Sequence, residues 1–269
     1  MDKIAPNLTG VPETMLWTLH NRASEALRAD GLLHDPKLVE IYRALDYDYE
    51  ASFGEARPSH ASRAALFDNE LRAFLKAHPN GVIVNLGEGL ETHRFRIADN
   101  GEALWITVDL PESIAIRERF IEPDERHRHV ALSALDRRWF DEVPPGRAVF
   151  ITAQGLFMYL PPAETASLLR DMAQRFPKAR LLFDYVPRWL SKATLKGRRL
   201  TPNFTIPPMP WGIDRNEIEP TLRSWAAIET VETFDYRFYR GWRGLLFGWL
   251  SRFAFWRDRM PAITRVAFA

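Results

Sequence analysis

Residues 82–92 constrain this chain more than any other stretch: Val82-Ile83-Val84-Asn85-Leu86-Gly87-Glu88-Gly89-Leu90-Glu91-Thr92. A short apolar, β-branched run enters a turn with two glycines, and a polar, helix-starting sequence follows. This is how a buried parallel strand meets a nucleotide-type ligand in an open α/β sheet. Glycine lets the backbone approach a ligand that a side chain would push away. The helix N-terminus beyond it favours a negative group. A tight turn after a strand, with no ligand, would use the same residues.

The spacing also discriminates between ligands. A dinucleotide fingerprint reads Gly-x-Gly-x-x-Gly, with the third glycine packing helix against strand. Thr92 stands in that third place, which speaks against NAD or FAD. S-adenosylmethionine has no pyrophosphate to cradle, so the shorter motif suits it.

Composition narrows the class. With 269 residues and 46% hydrophobic content, the chain can build one large α/β domain with a full core. Lys and Arg number 36 against 35 Asp and Glu, so nothing marks a nucleic-acid partner. The lack of cysteine excludes disulfides, zinc–thiolate sites and a cysteine nucleophile, and suits a reducing cytoplasm, the expected location. Met1-Asp2-Lys3-Ile4-Ala5-Pro6 has neither the basic nor the apolar region of a signal peptide. No uncharged apolar run of about 18 residues is present to span a bilayer.

Hydrophobic spacing predicts a helix over 11–30, through Leu16, Leu19, Ala23, Ala26 and Leu27, and another over about 63–77, with Phe67, Leu71, Phe74 and Leu75 on one face. Strands are expected at 82–86, 103–108, 128–132, 147–152 and 179–184. Helices at about 111–121 and 162–175 fall between them, and Pro111 and Pro162 both suit a first helical turn. Alternating β and α units imply a parallel sheet covered on both faces. The proline-rich stretch 187–217 reads either as an insertion over an active site or as a structural surface loop.

Polar residues at predicted strand ends carry the chemistry. Asp109, in Val108-Asp109-Leu110-Pro111, lies about 20 residues beyond the glycine turn, where a carboxylate can accept both ribose hydroxyl protons. Its structural alternative is a helix N-cap. Ser133-Ala134-Leu135-Asp136, with Trp139, follows the third strand, at the edge where an adenine would sit; a helix cap is again the alternative. Gln154 falls at the carboxyl end of the fourth strand, facing the ligand crevice.

Several of these stretches together resemble the leucine carboxyl methyltransferase family, especially its bacterial branch of polyketide O-methyltransferases. The family reads Leu-Gly-x-Gly-Leu-Asp-Thr where this chain has Leu86 to Thr92. Val108-Asp109-Leu110-Pro111, Leu135-Asp136 with Trp139, and Ala153-Gln154-Gly155-Leu156-Phe157-Met158-Tyr159-Leu160 resemble further family motifs. The resemblance covers about residues 11–217. It implies a Rossmann-like α/β sandwich with a mostly parallel seven-stranded sheet, completed by strands near 227–239 and 262–268, the last pair antiparallel. The implied divisions are an N-terminal helical cap (1–80), a cofactor-binding core (81–186), a lid (187–217) and C-terminal strands with a tryptophan-rich helix (218–269).

The implied activity is S-adenosylmethionine-dependent O-methylation of a small molecule at a hydroxyl or carboxylate, plausibly polyketide-like. Arg63, Gly87, Gly89, Asp109, Leu135, Asp136 and Gln154 would hold the cofactor, Arg63 as a two-pronged fork on its methionine carboxylate. A phenol acceptor would benefit from a histidine or carboxylate base; His20 and His60 are candidates, with a surface or packing histidine as the alternative for each, Tyr159 is a further acceptor-side candidate, and a carboxylate acceptor needs no base. Two positions depart from the family pattern. Glu91 replaces aspartate, and Gln154 replaces a glutamate that contacts the cofactor side. An amide hydrogen-bonds but carries no charge, so a cofactor-binding protein without turnover is an alternative, as is a methyltransferase of protein C-termini.

No Gly-x-Ser-x-Gly elbow, His-Glu-x-x-His pair or P-loop is present. His127 and His129 lack a third ligand at metal spacing and read as an exposed polar stretch. Trp242, Leu245, Leu246, Trp249, Leu250, Phe253 and Trp256 follow a helical rhythm, widened by Phe247 and Phe255 and flanked by Arg240, Arg243, Arg252, Arg257 and Arg259. The expected setting is a helix packed on the core or in a homo-oligomer interface; a membrane-surface helix and a lid over the substrate are alternatives.

Overall fold

The computed structural model of the protein describes residues 3–97, 101–235, 246 and 248–269. Four helices precede the first strand: α1 (Thr14–Ala26), α2 (Pro36–Ala44), α3 (Tyr49–Phe53) and α4 (Ser59–Ala77). The core then runs β1 (Val82–Leu86), α5 (His93–Arg96), β2 (Leu104–Asp109), α6 (Pro111–Arg117), β3 (His127–Ala131), β4 (Val149–Ala153), α7 (Pro162–Arg175) and β5 (Arg180–Tyr185). After it come α8 (Arg188–Leu195), a small hairpin of β6 (Arg199–Thr201) and β7 (Phe204–Thr205), α9 (Arg215–Trp225), β8 (Ile228–Asp235), α10 (Ala254–Arg257) and β9 (Ala262–Phe268).

Seven strands form one sheet in the order β3-β2-β1-β4-β5-β9-β8. β1 to β5 are mutually parallel, and β9 runs antiparallel between β5 and β8. The chain leaves β1 towards β2 and β3, then returns to the other side of β1 with β4. That reversal opens a crevice beyond the carboxyl ends of β1 and β4, where such sheets bind ligands.

Side-chain alternation builds the two faces. Ile83, Trp105, Phe150, Leu182 and Ile263 meet Phe67, Leu71 and Phe74 of α4 on one side. Val82, Val84, Ile106, Ile151 and Leu181 meet Leu168, Leu169 and Met172 of α7 on the other, with Ile218 and Leu222 of α9. Each fully buried side chain contributes about 1.5–3 kcal/mol. So α4 is a layer of the sandwich, and only its first turns reach the crevice. Over that crevice, Leu16, Leu19 and Ile41 of the first helices share an apolar cluster with Leu90, Met158, Phe204, Ile206 and Met209.

Three expectations are corrected. The stretch 187–217 is not a bare loop: it holds α8 and the β6–β7 hairpin, and Ser191 Oγ donates to the Met209 carbonyl at 2.7 Å. The helix after the glycine turn, α5, is a single turn, too short to carry a helix dipole towards a ligand. In the tryptophan-rich segment Leu246, Trp249, Phe253, Phe255 and Trp256 are exposed, so its described part does not pack on the core. The two faces of the sheet carry α4 on one side and α7 with α9 on the other. Trp242, Leu245, Phe247, Arg240, Arg243 and the far end of the predicted 227–239 strand lie outside the described residues. Among the described residues no helix is long and apolar enough to cross a membrane.

Candidate active site

A cavity of about 530 Å³ fills the crevice. Its floor is the glycine turn, and its roof comes from α1, the start of α4, α8 and the segment after the hairpin, through Met15, Trp17, His60, Leu190 and Met209. Gly87 and Gly89 have φ of 62° and 52°, a region that L side chains rarely adopt. Space is short as well: a Cβ on Gly89 would lie 3.0 Å from Met15 Cβ, and one on Gly87 3.0 Å from Leu156 Cδ1. The turn is clamped from behind. The Glu88 carboxylate takes Asn85 Nδ2 at 3.1 Å and the Thr107 hydroxyl, and pairs with Arg117 at 3.1 Å. Arg117 Nη1 donates to the carbonyls of Gly89 and Glu91 at 2.8 and 2.9 Å.

Asp109 stands at the end of β2, facing this turn. Its Oδ2 accepts the Gly89 N–H and its Oδ1 the Leu110 N–H, both at 2.7 Å. α6 takes Leu110 as its N-cap, so the carboxylate is not spent on capping that helix. The Ser113 side chain donates to it as well, which leaves one lone pair for a further donor. Burial raises its pKa, opposed by the Gly89 and Leu110 N–H bonds.

The third-strand edge differs from expectation. Ser133 and Ala134 line the cavity, whereas Leu135 and Asp136 are not among its walls. Asp136 caps the 3₁₀ turn Arg137–Glu142 through the Arg138 N–H at 3.0 Å and pairs with the Arg138 guanidinium, which holds its pKa down to about 2. A solvated arginine two residues away competes successfully for this carboxylate.

Gln154 lies at the end of β4 and donates from Nε2 to Glu91 Oε2 at 2.9 Å. The two residues that depart from the family pattern therefore bond to each other. Glu91 is buried in a network with Arg22 and, at 2.9 Å, Arg96. Burial alone would raise its pKa; the Arg22, His93 and Arg96 charges outweigh that and hold it well below the usual carboxylate range. Arg96 continues to Asp35 and Asp68, at 2.5 and 2.7 Å, tying the first helices to the glycine turn. With its amide nitrogen committed, Gln154 leaves Oε1 as a buried acceptor without a protein donor in the cavity wall.

Arg63 reaches the cavity from α4 and pairs with Asp184 at 2.8 Å. The other Asp184 oxygen accepts the Gly155 N–H at 2.6 Å. One nitrogen of the expected fork is thus engaged by the protein itself. Asp184 went unread in the sequence, although Phe183-Asp184-Tyr185 shows the same signal as Asp109, a lone acid ending an apolar strand. Arg22 and Asn21 also escaped, because a polar residue inside a helix pattern carries no mark of the cavity it will face.

The candidate bases are disarmed. The Arg57 N–H donates to Asn21 Oδ1 at 2.8 Å, which fixes that amide's orientation. Asn21 Nδ2 must then donate to His60 Nδ1, 2.7 Å away. The His60 lone pair is consumed, and its hydrogen sits on Nε2. Burial, with Arg63 and Arg22 nearby, pushes its pKa well below the ordinary value. Tyr159 lines the cavity, and burial pushes its pKa up to about 12. His20 is tied to Tyr42 and the Gly54 carbonyl, both at 3.1 Å, and is not among the cavity walls. His127 and His129 pair with Asp124 and Glu118 at 2.8 and 3.2 Å, and no metal-holding cluster occurs among the described residues.

The fold has counterparts. An N-methyltransferase from Bradyrhizobium japonicum, solved with S-adenosylhomocysteine, superposes with a TM-score of 0.50 at 12% identity, over 93% of this chain and 98% of that one. A tetracenomycin polyketide synthesis O-methyltransferase from Streptomyces glaucescens is 30% identical over 246 residues, covering 88% of this chain and 90% of that protein. An S-adenosylmethionine-dependent methyltransferase from Gibberella zeae is 30% identical over 193 residues, 65% of each chain. The family model for leucine carboxyl methyltransferase matches residues 16–173, which run from the first cap helix through the glycine turn, Asp109 and Gln154 to α7. The chain belongs to the leucine carboxyl methyltransferase family and is an S-adenosylmethionine-dependent methyltransferase.

Proposed function

We propose that this enzyme methylates a carboxylate oxygen of a small molecule. The observation that carries the reading is the tied lone pair of His60. A phenol, with a pKa of about 10, needs its proton taken, whereas a carboxylate is already ionised at neutral pH. Two acids of the cavity wall are paired, Asp184 with Arg63 and Glu91 with Arg22. The Streptomyces relative is an O-methyltransferase of polyketide synthesis, which supports oxygen as the acceptor atom.

The residues present fit the cofactor. S-adenosylmethionine, when bound, supplies a methyl group already activated on sulfur. Gly87 and Gly89 line the cavity floor without side chains, and Asp109 offers its remaining lone pair to a ribose hydroxyl. Ser133 and Ala134 form the adenine edge. Gln154 Oε1 accepts from the ammonium group, and Arg63 attracts the methionine carboxylate while Asp184 fixes its orientation. The 187–217 segment, through Leu190 and Met209, acts as a lid that excludes water. What remains for the protein is alignment of the acceptor oxygen with the methyl group.

The test is a reaction with methyl-labelled S-adenosylmethionine over a panel of aromatic carboxylic acids and phenols. A methyl ester, cleaved by mild hydroxide to release labelled methanol, is expected. A hydroxide-stable ether as the main product refutes the carboxylate reading.

A further inference from the structure

Two segments meet on the surface beside the cavity, residues 188–199 and the described residues of 246–259. The Trp189 indole N–H donates to the Arg259 carbonyl at 2.9 Å. Arg198 stacks over the Trp189 ring at 5.6 Å, and Arg259 over Phe255 at 4.1 Å. Seven of the ten exposed large hydrophobic residues among those described fall on these two segments, among them Trp249 at 53% and Phe255 at 61% exposure. Burial elsewhere is thorough, so this concentration marks a contact surface.

Charge says what kind of contact. The two segments hold eight Lys and Arg residues and a single acid, Asp258, although the whole chain is nearly balanced. Glu217 engages Arg188, and Asp258 lies 3.9 Å from Arg257. Lys192, Lys196, Arg198, Arg199, Arg252 and Arg259 are exposed. A second copy docked through a two-fold axis would set this cationic surface against itself, with like charges opposed. Tryptophan and phenylalanine interleaved with arginine and lysine suit the headgroup level of an anionic bilayer, where the rings sink and the cations meet phosphate.

We propose that this surface docks the protein on anionic lipid membranes. Leu190 and Pro261, close in sequence to the surface residues, line the cavity, so docking sets the active site near the lipid.

The experiment is co-sedimentation of the full chain with vesicles of phosphatidylcholine containing phosphatidylglycerol, against vesicles of phosphatidylcholine alone. Binding to the anionic vesicles only is expected, weakening with salt. Combined Lys192→Glu, Lys196→Glu and Arg198→Glu should lower apparent affinity by about a hundredfold or more, since each surface cation contributes about fivefold. Combined Trp249→Ser, Phe253→Ser and Trp256→Ser should lower it by about tenfold or more. S-adenosylhomocysteine affinity, measured in both variants, reports the fold independently, because none of these residues lines the cavity. A parent chain that ignores anionic vesicles overturns the proposal, as does binding that both correctly folded variants retain. A dimer in vesicle-free solution that the aromatic variant dissociates also overturns it and makes a second copy the occupant.

Discussion

Gln154→Glu restores the residue common in the family, yet the structure expects harm from it. The substituted oxygen would stand where Nε2 now lies, 2.9 Å from Glu91 Oε2. Two unit charges at that separation repel by about 6 kcal/mol at an effective dielectric constant of about 20. Attraction from Arg22 and Arg96 to the new charge offsets roughly half, leaving about 3 kcal/mol, or about 2 pKa units. Glu91 keeps its charge because its arginines hold it, so the introduced carboxyl takes the proton, with a folded pKa of about 6.5 against about 4.3 unfolded. An acid whose pKa rises on folding binds its proton more tightly in the native state. Relative to the parent, stability therefore falls as pH climbs from about 4.3 to about 6.5 and stays lowered above. Thermal unfolding of both chains at several pH values measures this directly. The variant should match the parent near pH 4.5 and melt about 6–12 °C lower near pH 8. Equal melting temperatures at both pH values, or a gain in activity, would refute the reasoning.

The other predictions concern single contacts. Asp109→Asn keeps the side chain's shape but leaves a backbone N–H without its acceptor, and S-adenosylhomocysteine affinity in calorimetry should fall more than about tenfold, with unchanged affinity removing Asp109 from the site. Gly89→Ala meets both a positive φ and Met15, and should cost about 1–2 kcal/mol or more in denaturant unfolding; a neutral result would show that the turn and α1 yield freely. With His60 held neutral, kcat/KM should carry no ionisation limb near the usual histidine value of about 6.5. A limb there that disappears in His60→Gln would reinstate the histidine as a base.

Local sequence determined the scaffold of this protein. β1, β4 and β5 are apolar runs bounded by turn residues, and Pro111 and Pro162 open their helices where the pattern places them. Gly87, Gly89 and Asp109 were legible for the same reason: positive φ needs glycine, and a strand end followed by proline leaves an acid facing the crevice. Such features depend on neighbours within a few residues, so a linear pattern carries them.

What only the tertiary structure decided lies between residues distant in sequence. Glu91 and Gln154 looked like two separate departures, and folding makes them one hydrogen bond across 63 positions. His60 looked like a base until Asn21, 39 residues away, claimed its lone pair. Asp184 and Arg63, separated by 121 positions, orient each other at the cavity. The aromatic face of the tryptophan-rich segment read as a packed one, and its described residues Leu246, Trp249, Phe253, Phe255 and Trp256 are exposed. Periodicity gives a side chain its face and its polarity. Which partner arrives at that face, and so which proton, charge or surface remains available, is set by packing over the whole chain.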